Sequence, residues 1–215
     1  MMSERRETLL IIFAVLAAGF LLISNLVATK LWNFAGVAVD GGIILFPFSY
    51  VLGDVIVEIF GRKKADRIVW TSLGLNILAV VTFVLVGMLP PYPGWDGQDS
   101  YMAILGFVPR IVLGSLTAYV ASQLLNNLVF TKIREKTGKK WLGLRAIVSS
   151  VLGRAVDSTI FETIAFFGVL SFGEFVGQAM FAYFAGMMLE ILLTPLTYLA
   201  VGGARKWLSS KSNKN

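Results

Sequence analysis

The 215-residue chain contains no cysteine and no histidine. The missing cysteine removes disulfides and thiol nucleophiles. The missing histidine removes the commonest general base and the commonest zinc ligand. Charge is scarce as well: 15% of residues are Asp, Glu, Lys or Arg, where a soluble domain carries ~25%. Acids are the rarer sign, 13 against 19 basic residues, for a net charge of +6. So few charges do not cover a globule of this length with polar surface, which excludes a water-soluble domain. What is present is apolar, at 56% of residues with mean hydropathy +0.75, which excludes disorder. No GxxxxGK[ST] sequence occurs, so nucleotide hydrolysis by the chain alone is excluded. The class that remains is an all-α polytopic membrane protein, one transmembrane domain over 1–215. It is expected to act as a non-enzyme and to need no cofactor and no metal.

A hydrocarbon core of ~30 Å takes about 20 apolar residues per helix. Six windows qualify: 8–29, 42–60, 68–89, 107–130, 145–170 and 176–202. Sixteen of the 19 basic residues fall before the first window, between the second and third, between the fourth and fifth or at Arg145 where the fifth begins, or after the sixth. The remaining connections hold Lys30 and the acids Asp40, Asp96, Asp99 and Glu174. The positive-inside rule therefore predicts cytoplasmic N and C termini. The basic clusters read as topology signals, so no nucleic-acid partner is expected, and the surrounding partner is lipid. Pro90–Trp95 reads as a rigid outer loop with an interfacial aromatic residue. Val51-Leu52-Gly53 recurs as Val151-Leu152-Gly153, an echo consistent with a 3+3 inverted repeat.

The informative charges are those left inside the windows. Asp54, Glu58, Asp157, Glu162 and Glu190 are the acids; Arg110 and Arg154 are the bases. A charge at mid-bilayer costs ~2.5–3.5 kcal/mol or more, so each must pair, face water or hold a proton. Asp54 and Glu58 stand one helical turn apart. Arg154, Asp157, Ser158 and Glu162 form one stripe of the fifth window. Arg110 opens the fourth window on a face with Gly114 and Thr117, followed by Ser122, Gln123, Asn126 and Asn127. Tyr183, Glu190 and Thr194 share a face of the sixth, with Pro195 expected to kink it. Asn25 and Lys30 close the first window. Gly36, Gly41-Gly42 and Phe46-Pro47 suggest an irregular entry into the second.

Polar residues thus come from five of the six windows, more than interhelical glue requires. A small polar solute in the bundle centre explains them economically. Five acids against two arginines disfavour a phosphate-bearing one. Carboxylates accept the adjacent N–H donors of a guanine-type edge, amides meet its acceptors, and Phe46, Phe48, Tyr50 and Trp70 are candidate stacking partners. Substrate-binding candidates are therefore Asp54, Glu58, Arg110, Gln123, Asn126, Arg154, Asp157, Glu190, Asn25, Lys30, Phe46 and Tyr50. Ala14/Ala18 and Gly114/Ala118 offer small-residue faces for a homodimer or for packing within the chain.

At these residues the chain resembles the queuosine precursor transporter family, also grouped as vitamin-uptake-like transporters. Four blocks carry the likeness. The first is Phe46-Pro47, Asp54, Glu58, Phe60-Gly61, Arg62 and Ala65. The second is Pro109-Arg110-Ile111, Ser115, Ala118-Tyr119 and Ser122-Gln123. The third is Leu144-Arg145, Ser149, Asp157-Ser158, Phe161 and Ala165-Phe166-Phe167-Gly168, and the fourth is Glu190, Thr194-Pro195 and Tyr198. Asn25 and Lys30 match as well. The resemblance implies a six-helix transporter of the bacterial inner membrane. It implies 7-deazaguanine substrates, the 7-cyano or 7-aminomethyl forms or queuine. Secondary import is expected, either coupled to protons through Asp54, Asp157 or Glu190 or facilitated without coupling. It also implies a distant likeness to the substrate-binding subunits of ATPase-driven vitamin transporters, which is the alternative function. The chain departs from the family at Asn126, where an acid is usual, and at Gly186, where many members carry lysine. Arg154 and Glu162 are unusual, and Arg154 is placed to supply the positive charge that Gly186 lacks.

Overall fold

The computed structural model describes residues 2–137 and 142–209; the side chains of Phe46, Pro47, Tyr50, Gln123, Asn126 and Glu190 lie outside what is described. The apolar run after Arg6 forms α1 (Met2–Val27). A hairpin follows, β1 (Leu31–Phe34) against β2 (Val37–Asp40), antiparallel with Leu31 opposite Asp40 and Phe34 opposite Val37. Its two-residue turn has Ala35 at φ 51° and Gly36 at φ 88°, the left-handed pair that matches strand twist in tight hairpins. The side chain of Asn33 accepts the Gly36 N–H at 2.9 Å. The irregular entry expected here is thus an ordered hairpin, followed by a 3₁₀ turn over Gly41–Ile44.

That turn fixes how the hairpin sits on α1. A Cβ on Gly41 would lie 2.5 Å from the carbonyl oxygen of Val27, and one on Gly42 would lie 3.0 Å from that of Ser24. The backbone passes so close that only glycine fits at Gly41. Asp40 caps the turn, its Oδ1 accepting the Gly42 N–H at 2.8 Å. Gly41 N–H donates to the Lys30 carbonyl at 2.9 Å and closes the hairpin base.

The chain then forms α2 (Phe46–Phe60) and, after Gly61 at φ 84°, α3 (Arg62–Gly87). The second window therefore yields a helix four residues shorter at its start than the apolar run suggested, because Gly41–Ile44 belong to the turn. A short α4 (Gln98–Leu105) lies in the proline-rich connection. There Gln98 Nε2 and the Tyr101 hydroxyl donate to the Gly87 and Phe83 carbonyls and close the end of α3. Next come α5 (Val108–Thr137), α6 (Leu142–Phe166) and α7 (Phe172–Ser209). Ser171 and Glu174 make a capping box at the start of α7, the Ser171 N–H and Oγ donating to Glu174 Oε2 at 3.0 and 2.6 Å. The helix α7 continues through Pro195.

Helix α5 packs chiefly on α6, while α2 is held by α7, α1 and α3, and β2 lies against α7. Gly114 faces Phe161 and Ile164, so the Gly114/Ala118 face packs the chain's own α6. One core cluster, Ala28, Ile111, Ala165 and Phe166, lies at the hairpin end. Another, Leu52, Ile56, Phe60 and Ala65, lies where α1 begins and α2 ends. Outside these cores large apolar side chains stand exposed, among them Ile11, Leu78, Leu85, Met188 and Leu199. Four stretches are long and apolar enough to cross a membrane: Glu4–Val27, Arg62–Gly87, Gln98–Ser122 and Phe172–Ser209. An apolar exterior on helices of this length makes the chain a membrane protein. Helix α2, at 15 residues, packs on α7, α1 and α3, and α6, which carries Arg154, Asp157 and Glu162, packs chiefly on α5.

The close backbone approach at Gly41 generates a test. Gly41→Ala should lower stability in detergent by ~1–3 kcal/mol, since neither backbone can yield cheaply. Gly53→Ala, with nothing within 4 Å of the added carbon, should leave stability unchanged or raise it slightly. Thermal unfolding of the two variants checks the contrast.

Candidate functional site

Three polar groupings run along the bundle, each assembled by helices that the packing brings side by side. At the α1–α3 contact Asn25 Nδ2 donates to Asn76 Oδ1 at 2.8 Å, and Asn76 Nδ2 donates to the Ser72 carbonyl at 2.9 Å. All three residues are buried. Beside them Ser24 Oγ donates to the Gly42 carbonyl at 3.2 Å, tying α1 to the 3₁₀ turn. Asn25 thus serves as a cross-helix bond in a medium where an unpaired amide costs several kcal/mol.

The second grouping joins α5, α6 and α7. Ser122 Oγ on α5 donates to Asp157 Oδ1 on α6 at 3.3 Å. Arg154, one turn earlier on α6, is close enough to act electrostatically on Asp157. Its Nη1 lies 2.7 Å from where a Cβ on Gly186 of α7 would stand. The guanidinium therefore occupies the space that the absent Gly186 side chain leaves. The candidates Glu190, four residues after Gly186, and Gln123 and Asn126, one and four residues after Ser122, have side chains outside the described set. The half-buried Asp157 and Arg154 present an acceptor and a donor fork across three helices. That is an arrangement suited to a flat solute with hydrogen-bonding edges.

The third grouping is Asp40, Glu162 and Gln178. Glu162 and Gln178 are each 1% exposed, and Gln178 Nε2 donates to Glu162 Oε2 at 2.8 Å. Asp40 of β2 is buried and near enough to Glu162 to influence it. Sequence reasoning passed over Gln178 and treated Asp40 as a loop acid. The available signal was Asp40 before Gly41-Gly42, a cap preceding a tight backbone approach.

The remaining candidates are placed elsewhere. Arg110 Nε and Nη2 donate at 2.5 Å to the carbonyls of Ile164 and Phe167, so the guanidinium caps the last turn of α6. Glu58 and Arg205 form an exposed ion pair between α2 and α7. Nearby, Arg6 donates to the Ile59 carbonyl and Arg5 to that of Trp207. The start of α1 and the ends of α2 and α7 thus meet at one basic end of the molecule. Asp54 lies on the exposed side of α2, and Lys30 is exposed at the hairpin base.

Burial pushes the Asp40 carboxyl up from its ordinary 3.8 to about 6, although the N–H groups of Gly42 and Ile43 draw it back. The folded state therefore binds this proton more tightly than the unfolded chain. The associated stability is present below the ordinary carboxylate range and is lost as pH rises through about 6. Asp40→Asn keeps an acceptor for Gly42 but does not ionise. Its thermal stability relative to the parent should rise as pH goes from about 4 to about 7. Parallel pH curves for the two proteins would contradict the assignment.

Comparison with known proteins adds independent information. Residues 40–200 match a family described as "Putative vitamin uptake transporter". A "Probable queuosine precursor transporter" of Bacillus subtilis (strain 168) is 29% identical over 180 residues, covering 82% of this chain and 78% of that protein. A protein of the same name from Haemophilus influenzae (strain ATCC 51907 / DSM 11121 / KW20 / Rd) is 28% identical over 174 residues, covering 74% and 72%. The "Queuosine precursor transporter" of Escherichia coli (strain K12) is 30% identical over 125 residues, covering 58% and 54%. No solved structure matches the chain. With an apolar exterior, polar residues at helix contacts and a family match across most of its length, the chain belongs to the vitamin uptake transporter family.

Proposed function

We propose that the chain is an inner-membrane carrier that imports 7-deazaguanine precursors of queuosine. Its six long windows cross the membrane as α1, α2, α3, α5, α6 and α7, with the basic end cytoplasmic. The names of the relatives support the substrate class. The observation that carries the reading to a site is the α5–α6–α7 grouping, where Asp157 accepts from Ser122 and Arg154 fills the space over Gly186. In this reading Asp157 accepts adjacent N–H donors of the guanine-like edge. Arg154 and the amides of Gln123 and Asn126 meet its acceptors, and Glu190 closes the site from α7. The carrier works as a secondary transporter coupled to protons, without a nucleotide-hydrolysing partner. Glu58 is left to the basic end, where its pair with Arg205 holds α2 to α7, and Lys30 to the hairpin base.

A charge-assisted hydrogen bond contributes ~1.5–3 kcal/mol, and each 1.4 kcal/mol is about tenfold in equilibrium. Asp157→Asn should therefore reduce uptake of labelled 7-cyano-7-deazaguanine by about tenfold or more in cells expressing it, at unchanged abundance in the membrane. Glu58→Gln should stay within about twofold of the parent, because an exposed pair contributes ~0–1 kcal/mol. Equal losses in the two variants, or full uptake by Asp157→Asn, would remove the site assignment.

A further inference from the structure

Glu162 of α6 and Gln178 of α7 are buried against each other, and one atom of the pair is left over. Gln178 Nε2 donates to Glu162 Oε2. Gln178 Oε1, on the same carboxamide, is buried and has no hydrogen-bond partner among the described residues. An acceptor abandoned in this way costs ~1–3 kcal/mol. The pair contains its own remedy. A carboxylic acid and a carboxamide can join through two parallel hydrogen bonds, amide N–H to acid carbonyl and acid O–H to amide oxygen. A single proton on the second oxygen of Glu162 completes that ring and satisfies Oε1.

The charges around the pair favour the same state. From β2, Asp40 presents a second buried carboxyl close enough to interact. From α5, Arg110 has its guanidinium committed to the Ile164 and Phe167 carbonyls. On α6 itself, Asp157 and Arg154 lie five and eight residues earlier, within their own grouping. On α7, Glu174 is exposed and held by Ser171. Lys30, at the hairpin base, is exposed. Two buried carboxyls that feel each other, with the described cations engaged elsewhere or exposed, coexist when one of them holds a proton.

We propose that Glu162 is a proton-binding site, a buried carboxylic acid paired with the Gln178 carboxamide beneath the hairpin and beside Asp40. No bond to carbon changes: the proton joins Glu162 from water and leaves to water. The pair sits at the hairpin end, away from the basic end, which is the outer side in the topology proposed above. Use of the proton as the coupling ion rests on the carrier reading, whereas the proton site itself does not.

Infrared spectroscopy of the full-length purified chain in lipid tests it, through the carbonyl stretch of protonated carboxylic acids. The parent should show such a band at neutral pH, and Glu162→Gln should lose it. Asp40→Asn should retain the band but lose it at lower pH than a parent sample does on removal of the neighbouring charge's help. Gln178→Met, which removes the carboxamide, should shift the band to higher frequency, and this variant keeps the proposal testable if Glu162→Gln does not fold. A parent spectrum with no protonated-acid band, a band unchanged in Glu162→Gln, or one unshifted in Gln178→Met would overturn the proposal. Failure of 7-cyano-7-deazaguanine uptake by the parent, with the band behaving as expected, would instead remove the carrier reading alone.

Discussion

The cost of an unpaired polar group in an apolar bundle governs this molecule. Backbone and side-chain donors inside the helices have no water to fall back on, so each needs a partner on its own helix or on a neighbour. Asn25 takes Asn76, Asp157 takes Ser122, and Arg110 takes the last carbonyls of α6. Each bond fixes one helix against the next. The apolar exterior gives the helices no reason to prefer one neighbour over another, because lipid is as apolar as leucine. Register and contact order are therefore set by these few polar bonds and by close approaches at small residues, such as Gly114 against Phe161.

The same constraint separates the charges by role. At the basic end, Arg5, Arg6 and Arg205 reach backbone carbonyls or Glu58 and draw three helix termini together. These contacts are exposed and replaceable. In the bundle the charges are fewer and partly or fully buried, and they come in sets that span elements: Arg154 with Asp157 and Gly186, Glu162 with Gln178 and Asp40. Arg154 illustrates compensation across helices. A long cation on α6 occupies the room provided by a glycine on α7, which places positive charge where the α7 backbone itself supplies none.

Much of this was legible in the sequence, for identifiable reasons. The helices follow from uninterrupted apolar runs, and the described helices overlap all six windows. The relation of Arg154 to Gly186 was legible only through the family resemblance, which puts a lysine in many members where this chain has Gly186. The hairpin was not, since its strands are four residues each and its Ala35-Gly36 turn lacks the Asn-Gly signal. Nor was the Glu58–Arg205 pair, whose partners lie 147 residues apart, with Arg62 and Lys63 closer in sequence. Arg110 looked like a ligand because a charge in an apolar window invites a charged partner. Two backbone carbonyls at the end of α6 satisfy it instead. Gln178 carries no charge and sits on a helix of apolar residues, so only packing against Glu162 gives it significance.

Polar bonds that order the helices and a polar grouping shared by α5, α6 and α7 are what the carrier reading rests on. The most direct measurement is accumulation of labelled 7-cyano-7-deazaguanine by the purified chain alone in sealed liposomes, with no nucleotide present. The account predicts saturable accumulation that responds to an imposed pH gradient. Accumulation that begins only when an ATP-hydrolysing complex is added would contradict it.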